Sequence, residues 1–104
     1  MSTHAEISVI PISSEAGTSM SKQVAAAYEA IRGVDGIRAT LTPLGTQIEA
    51  ESLDRVVQAL TAAHAAVRKS GAERIISTIR IDERFDKNQS LEDKVESVKR
   101  ALRQ

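Results

Sequence analysis

Apolar and polar positions alternate through residues 5–12, AEISVIPI, which sets Ile7 and Val9 on one side of an extended strand and Glu6, Ser8 and Ile10 on the other. The stretch SSEAGTS that follows, with Gly17 and several hydroxyl residues, has the composition of a loop, and Ser19 is placed to cap a helix starting near Met20. Met20, Val24, Tyr28 and Ile31 then recur at helical spacing until Gly33 and Gly36 end the run. Alternation returns in IRATLT, with Ile37, Ala39 and Leu41 facing one way and Arg38, Thr40 and Thr42 the other. A break from Pro43 to Gly45 leads into TQIEAE, a third strand that forms a hairpin with the second.

The next helix is framed by Ser52 as N-cap, Asp54 in the first turn, Arg68 and Lys69 in the last, and Gly71 as the stop. Its predicted inward stripe is Leu53, Val56, Val57, Leu60, His64 and Val67. ERIISTIRID reads as strand four, with Ile75, Ser77, Ile79 and Ile81 on one side and Ile76, Thr78 and Arg80 on the other. Ser90 opens a capping box with Asp93, and Leu91, Val95, Val98 and Leu102 stripe a third helix.

The order βαββαβ plus a helix predicts an α+β, ferredoxin-like fold in one domain over residues 1–104: an antiparallel sheet with helices on one face and the other face open. The open face would carry Ile10, Ile12 and Ile76 beside Thr40, Thr42, Thr78 and Arg80. That mixture suits a subunit interface, so a homo-dimer or tetramer through this face is expected, with the third helix also available to a neighbour.

Composition narrows the function. Fourteen Lys and Arg balance fourteen Asp and Glu, and the aromatics are Tyr28 and Phe85 alone, so neither a charged field nor stacking rings invite nucleic acid. With no cysteine, disulfides and thiolate chemistry are excluded. The start MSTHAEISVIPIS lacks the pattern of a signal peptide and no segment approaches a membrane span, so no membrane partner and a cytoplasmic location are expected.

Catalytic apparatus is sparse. Of the two histidines, His4 is expected in a frayed terminus, which leaves His64, too few ligands for a metal site and no triad. Glycine-rich phosphate loops are missing. No enzyme, no metal and no cofactor are therefore expected. His64, in register with Leu60 and Val67, is predicted to face the sheet, where Thr46 and Ser77 also point inward; the three either satisfy one another internally or line a small pocket. Gln47 and Glu49 would share the open face with Thr78 and Arg80, and a Glu49 to Arg80 ion pair is expected there. The charged run RIDERFDK reads as a solvated loop.

Three blocks, EISVIPI, LTPLGTQIEAES and RIISTIRIDERFDK with EDKVESVKRAL, resemble the small thiamine-binding protein family across Glu6 to Leu102. That resemblance implies a ferredoxin-like fold, association through the sheets into dimers or tetramers, and binding of thiamine or its hydroxymethylpyrimidine part without turnover. It aligns the family's G-T-x-I-E segment with Gly45, Thr46, Ile48 and Glu49, its helical histidine with His64, and its T-I-(K/R)-I-D strand with Thr78, Ile79, Arg80, Ile81 and Asp82. Ser13 stands where the family usually has glycine, and Leu44 where methionine is frequent. The implied ligand-binding set is Leu44, Thr46, Glu49, His64, Ser77 and Thr78, with Glu49 beside the thiazolium charge. Two other readings stay open: a small oligomeric enzyme using His64 as acid or base, and a regulatory interaction module.

Overall fold

In a computed structural model, which describes residues 2–13 and 19–104, the predicted order is present: β1 Thr3–Ile12, α1 Ser21–Arg32, β2 Arg38–Thr42, β3 Gly45–Ala50, α2 Leu53–Lys69, β4 Arg74–Glu83 and α3 Leu91–Leu102. The strands form one antiparallel sheet in the order β2-β3-β1-β4, the ferredoxin-like arrangement. β1 is central: Ile7 lies opposite Thr46 of β3 and Ile79 of β4.

α1 and α2 pack against each other and cover one face of the sheet. There Ala5, Ile7, Val9, Ile48 and Ala50 meet Ala27, Ile31, Val56, Ala59, Leu60, Ala63 and Val67. The core is therefore aliphatic throughout, held by burial and close packing alone.

Local signals at α2 and α3 act as read. Ser52 caps α2 by accepting from the Arg55 N–H, and Ser90 and Asp93 form a complete capping box on α3. At α1 they do not: the N-cap is Met20, with no side-chain cap, and Ser19 Oγ instead lies 3.4 Å from Ser21 Oγ. Gly17 lies outside the described residues.

The α2 stripe is rotated from the prediction. Val56, Leu60 and Val67 are buried as expected, but Leu53, Val57 and His64 are exposed, and Ala59 and Ala63 take the inward places. Counting only large side chains misplaces the stripe, because closest approach to α1 and the sheet needs small residues there. His64 is thereby turned to the β4 side of the helix. β4 in turn lies beyond the cover of α2, so Ile79 and Ile81, on the predicted inner side, stay 45% exposed.

His4 is also not where the sequence suggested. It is the second residue of β1, 5% exposed on the outer face, fixed by strands on both sides and roofed by the start of α3. α3 itself buries no side chain: Val95, Val98 and Leu102 are exposed among the described residues.

Candidate ligand site

The six residues predicted to bind ligand fall into three places. Leu44 and Thr46 share a cavity at the β2–β3 hairpin, His64 and Ser77 meet at the β4 edge, and Glu49 and Thr78 occupy the outer face. The proposed triple contact of Thr46, Ser77 and His64 does not form. β1 stands between β3 and β4, and Thr46 is opposite Ile7 whereas Ser77 is opposite Val9. What remains is a short bond between His64 Nδ1 and Ser77 Oγ, 2.7 Å, on the surface.

The hairpin cavity, about 180 Å³, is bounded by β1, α1 and the β2–β3 turn. Ile7, Val9, Met20, Val24, Pro43 and Leu44 provide apolar walls, and Ser8, Thr42 and Thr46 complete the lining. Its floor follows from the sheet register. β3 pairs with β1 only up to Thr46 and Ile7, whereas β1 continues to Ile12 against β4. Past Ile7, the β3-facing side of β1 meets the cavity and the hairpin tip in place of a strand.

Glycine at position 45 makes that junction possible, since a Cβ there would sit 2.9 Å from the Ile7 carbonyl oxygen. This contact also shows that Ile7 turns its carbonyl toward β3; alternate residues share that direction, so Val9 presents its backbone N–H and C=O on the same side. Thr42 is occupied in holding the turn, donating from Oγ1 to the Gly45 carbonyl at 2.7 Å. Thr46 is 4% exposed, at the cavity's inner end, and Leu44, 86% exposed, is at its rim.

The outer face holds a second construction, built around α3. Glu49 Oε1 accepts from the Leu91 N–H at 2.7 Å, an anion at a helix N-terminus, and lies 3.5 Å from His4 Nε2. Arg38 stands 3.7 Å from the same carboxylate and also pairs with Glu92 of α3. On the other side of His4, Asp82 holds Lys94; that hydrogen bond first, then the ammonium charge, lowers the Asp82 pKa below its ordinary value of 3.8. Asp93 is lowered too, by hydrogen bonds from the Ser90 backbone and hydroxyl.

Glu49 is thus engaged with the start of α3, and the expected Glu49 to Arg80 pair is absent. β1 lies between them, and Arg80, opposite Glu6, pairs with that residue at 3.7 Å. An open cleft of about 560 Å³ lies between the sheet and α3, lined by Glu6, Gln47, Arg80, Asp82, Lys94 and Val95 among others. Its charges already have partners within the chain, and His4 Nε2, buried and without a hydrogen bond, is on the Glu49 side.

Ser8, Thr42 and Met20 line the candidate cavity and His4 supports the outer-face cluster, and sequence reading gave none of them these places. Continuing the period of two backward along β1 would have placed His4 on the outer face with Glu6 and Ser8. The cavity, by contrast, depends on where β3 stops, which alternation does not encode.

The strand order and the placement of the helices define a small ferredoxin-like α+β protein. The chain belongs to the thiamine-binding protein family, whose pattern it matches over residues 5–99. It is 44% identical over 98 residues to a UPF0045 protein of Methanothermobacter thermautotrophicus, covering 94% of this chain and 97% of that one. It is 39% identical over 103 residues to the UPF0045 protein YqgV of Bacillus subtilis, covering 94% and 95%. Among solved structures, hypothetical protein MJ1052 of Methanocaldococcus jannaschii superimposes with a TM-score of 0.84 at 33% identity, over 94% of this chain and 96% of that one. A Thermotoga maritima protein, described as a candidate thiamine biosynthesis/salvage protein, shares the fold with a TM-score of 0.76 at 18% identity, over 94% and 99%. No helix among the described residues is long and apolar enough to cross a membrane.

Proposed function

We propose that this protein binds thiamine, or the hydroxymethylpyrimidine that makes up half of it, in the hairpin cavity and does not turn it over. Membership of the thiamine-binding family over nearly the whole chain carries this reading. The cavity chemistry supports it. An aminopyrimidine is a flat disc with an amine donor and ring-nitrogen acceptors on its rim, and the cavity offers apolar walls, the Thr46 hydroxyl and the donor–acceptor edge of Val9. At about 180 Å³ it is smaller than the roughly 300–1,000 Å³ of most drug-sized sites, so it takes one ring and leaves the thiazolium outside.

Of the predicted ligand residues, Leu44 and Thr46 keep that role in this reading. Glu49 is engaged with α3, Thr78 faces outward from β4, and His64 and Ser77 lie on the β4 side of α2. Function as a cytoplasmic storage, delivery or sensing protein, assembled from several copies through the open sheet face, completes the proposal. The exposed Ile10, Ile12 and Ile76 on that face support assembly.

Isothermal titration with thiamine, hydroxymethylpyrimidine and the thiazole run separately tests it. Saturable heat is expected from the first two, with Thr46→Val weakening both by about tenfold, the worth of one well-placed hydrogen bond. Absence of saturable heat from all three would overturn the reading.

A further inference from the structure

His4 is a buried titratable side chain with no part in the hairpin cavity. It lies in β1 directly opposite Glu49 of β3 and Asp82 of β4, its side chain 7% exposed and its Nε2 without a hydrogen bond among the described residues. A buried polar atom left unpaired is costly. This one sits beneath α3, the helix that buries no side chain among the described residues.

Two sets of charges surround the ring, and only one of them moves with α3. Glu49 and Asp82 belong to the sheet and flank His4 whether or not the helix is seated; Glu6, two residues along the same face, is drawn to Arg80. Seating α3 adds a roof of the opposite sign. Lys94 stands over His4 and pairs with Asp82, Arg84 and Lys87 line the same side from the preceding loop, and the first N–H of α3 meets Glu49. The acids nearby are engaged elsewhere: Glu92 with Arg38 on the β2 side of Glu49, Asp93 in the cap at Ser90, and Asp86 with Arg84.

A proton on His4 therefore sets a positive charge beneath Lys94 and the positive end of α3, where water is excluded. It also makes both ring nitrogens donors. The acceptor nearest Nε2 is Glu49 Oε1 at 3.5 Å, the same oxygen that accepts from the Leu91 N–H at 2.7 Å. Closing that gap draws the carboxylate away from the helix; leaving it open keeps a cation buried and unpaired. Either outcome weakens the seat of α3, and the neutral ring leaves it intact. We propose that α3 is a strap over the outer face, seated while His4 is neutral and released when His4 takes up a proton. Release opens His4, Glu49 and Asp82 to water, while Ser2 keeps the preceding loop in place through Asn88 Oδ1 at 2.8 Å and the Gln89 carbonyl at 2.9 Å.

Histidine changes charge between about pH 5 and 8, and His4 and His64 are the two histidines of the chain, so each is replaced in turn. Amide exchange is followed in the full, ligand-free chain and corrected for intrinsic rates. Between about pH 8 and about pH 5.5, α3 is expected to lose about tenfold in protection while α2 holds, the effect of one hydrogen bond lost at the helix start. His4→Gln should remove the response and His64→Gln should keep it. In the wild-type protein, the His4 ring-proton resonance should titrate with the same midpoint as the loosening of the α3 amides. Protection of α3 that stays flat or rises toward acid, a response that survives His4→Gln or vanishes with His64→Gln, or two separate midpoints would overturn the proposal.

Discussion

α2 and α3 begin alike and end differently. Each has a serine N-cap, acids in its first turn, bases in its last and an apolar stripe, yet α2 buries Val56, Ala59, Leu60, Ala63 and Val67 while α3 buries nothing. α2 is held by apolar contact with the sheet and α1; α3 is held at its start by polar and charged contacts to Glu49, Arg38 and Asp82. Helix-forming signals are local and sufficient to make a helix. What the helix then packs on is a separate matter, decided by the sheet beneath it.

That contrast should divide the responses to mutation. Ile48→Ala, which empties a fully buried site beneath the helices, is expected to cost about 2–5 kcal/mol in urea unfolding. Val98→Ala on α3, where the side chain is 59% exposed, should stay within about 0.5 kcal/mol for the protomer. A larger loss, concentration-dependent, would mean that α3 is covered in an assembly. Gly45→Ala forces a Cβ against the Ile7 carbonyl and should cost about 1–3 kcal/mol, with the hairpin cavity distorted in the same step. An unchanged midpoint and unchanged ligand affinity together would contradict that close approach.

Removing the helix anchor comes next in size. Glu49→Ala takes the acceptor from the Leu91 N–H and should cost about 1 kcal/mol, with faster amide exchange confined to α3. Exchange rising equally in α2 would break the distinction drawn here. Acid should give the smallest effect and the same selectivity. Asp82 and Asp93 have folded pKa values below 3.8, so their contribution is present above that value and is lost as pH falls through the lower folded ones. Both groups are solvent-exposed and screened, so the loss is modest. Exchange corrected for intrinsic rates, measured as pH falls below about 4, should loosen α3 before α2.

Much of this was legible beforehand, for identifiable reasons. Alternation and helical spacing gave every element, and caps marked α2 and α3 though not α1, because period and capping are written in adjacent residues. The ferredoxin-like order followed from element sequence. Ser77 and His64 were paired correctly, since both lay near one edge. Other contacts depended on strand order and strand ends. That β1 separates β3 from β4 disconnects Thr46 from Ser77 and Glu49 from Arg80, and nothing in the local pattern of either strand reports it. His4 was misjudged from proximity to the start of the chain, although its strand continues there in full register with both neighbours.

The central position of β1 has a kinetic consequence. The strand made earliest pairs with β3 and then, through Thr3 opposite Glu83, with a strand about eighty residues later. Its apolar face must therefore wait, through synthesis or refolding, for partners distant in sequence, and closing that loop is the slow, entropically costly step. The βαββ portion can collapse early, but the finished sheet arrives late, and a ribosome stalled before β4 would present a chain whose middle strand is paired on one side only.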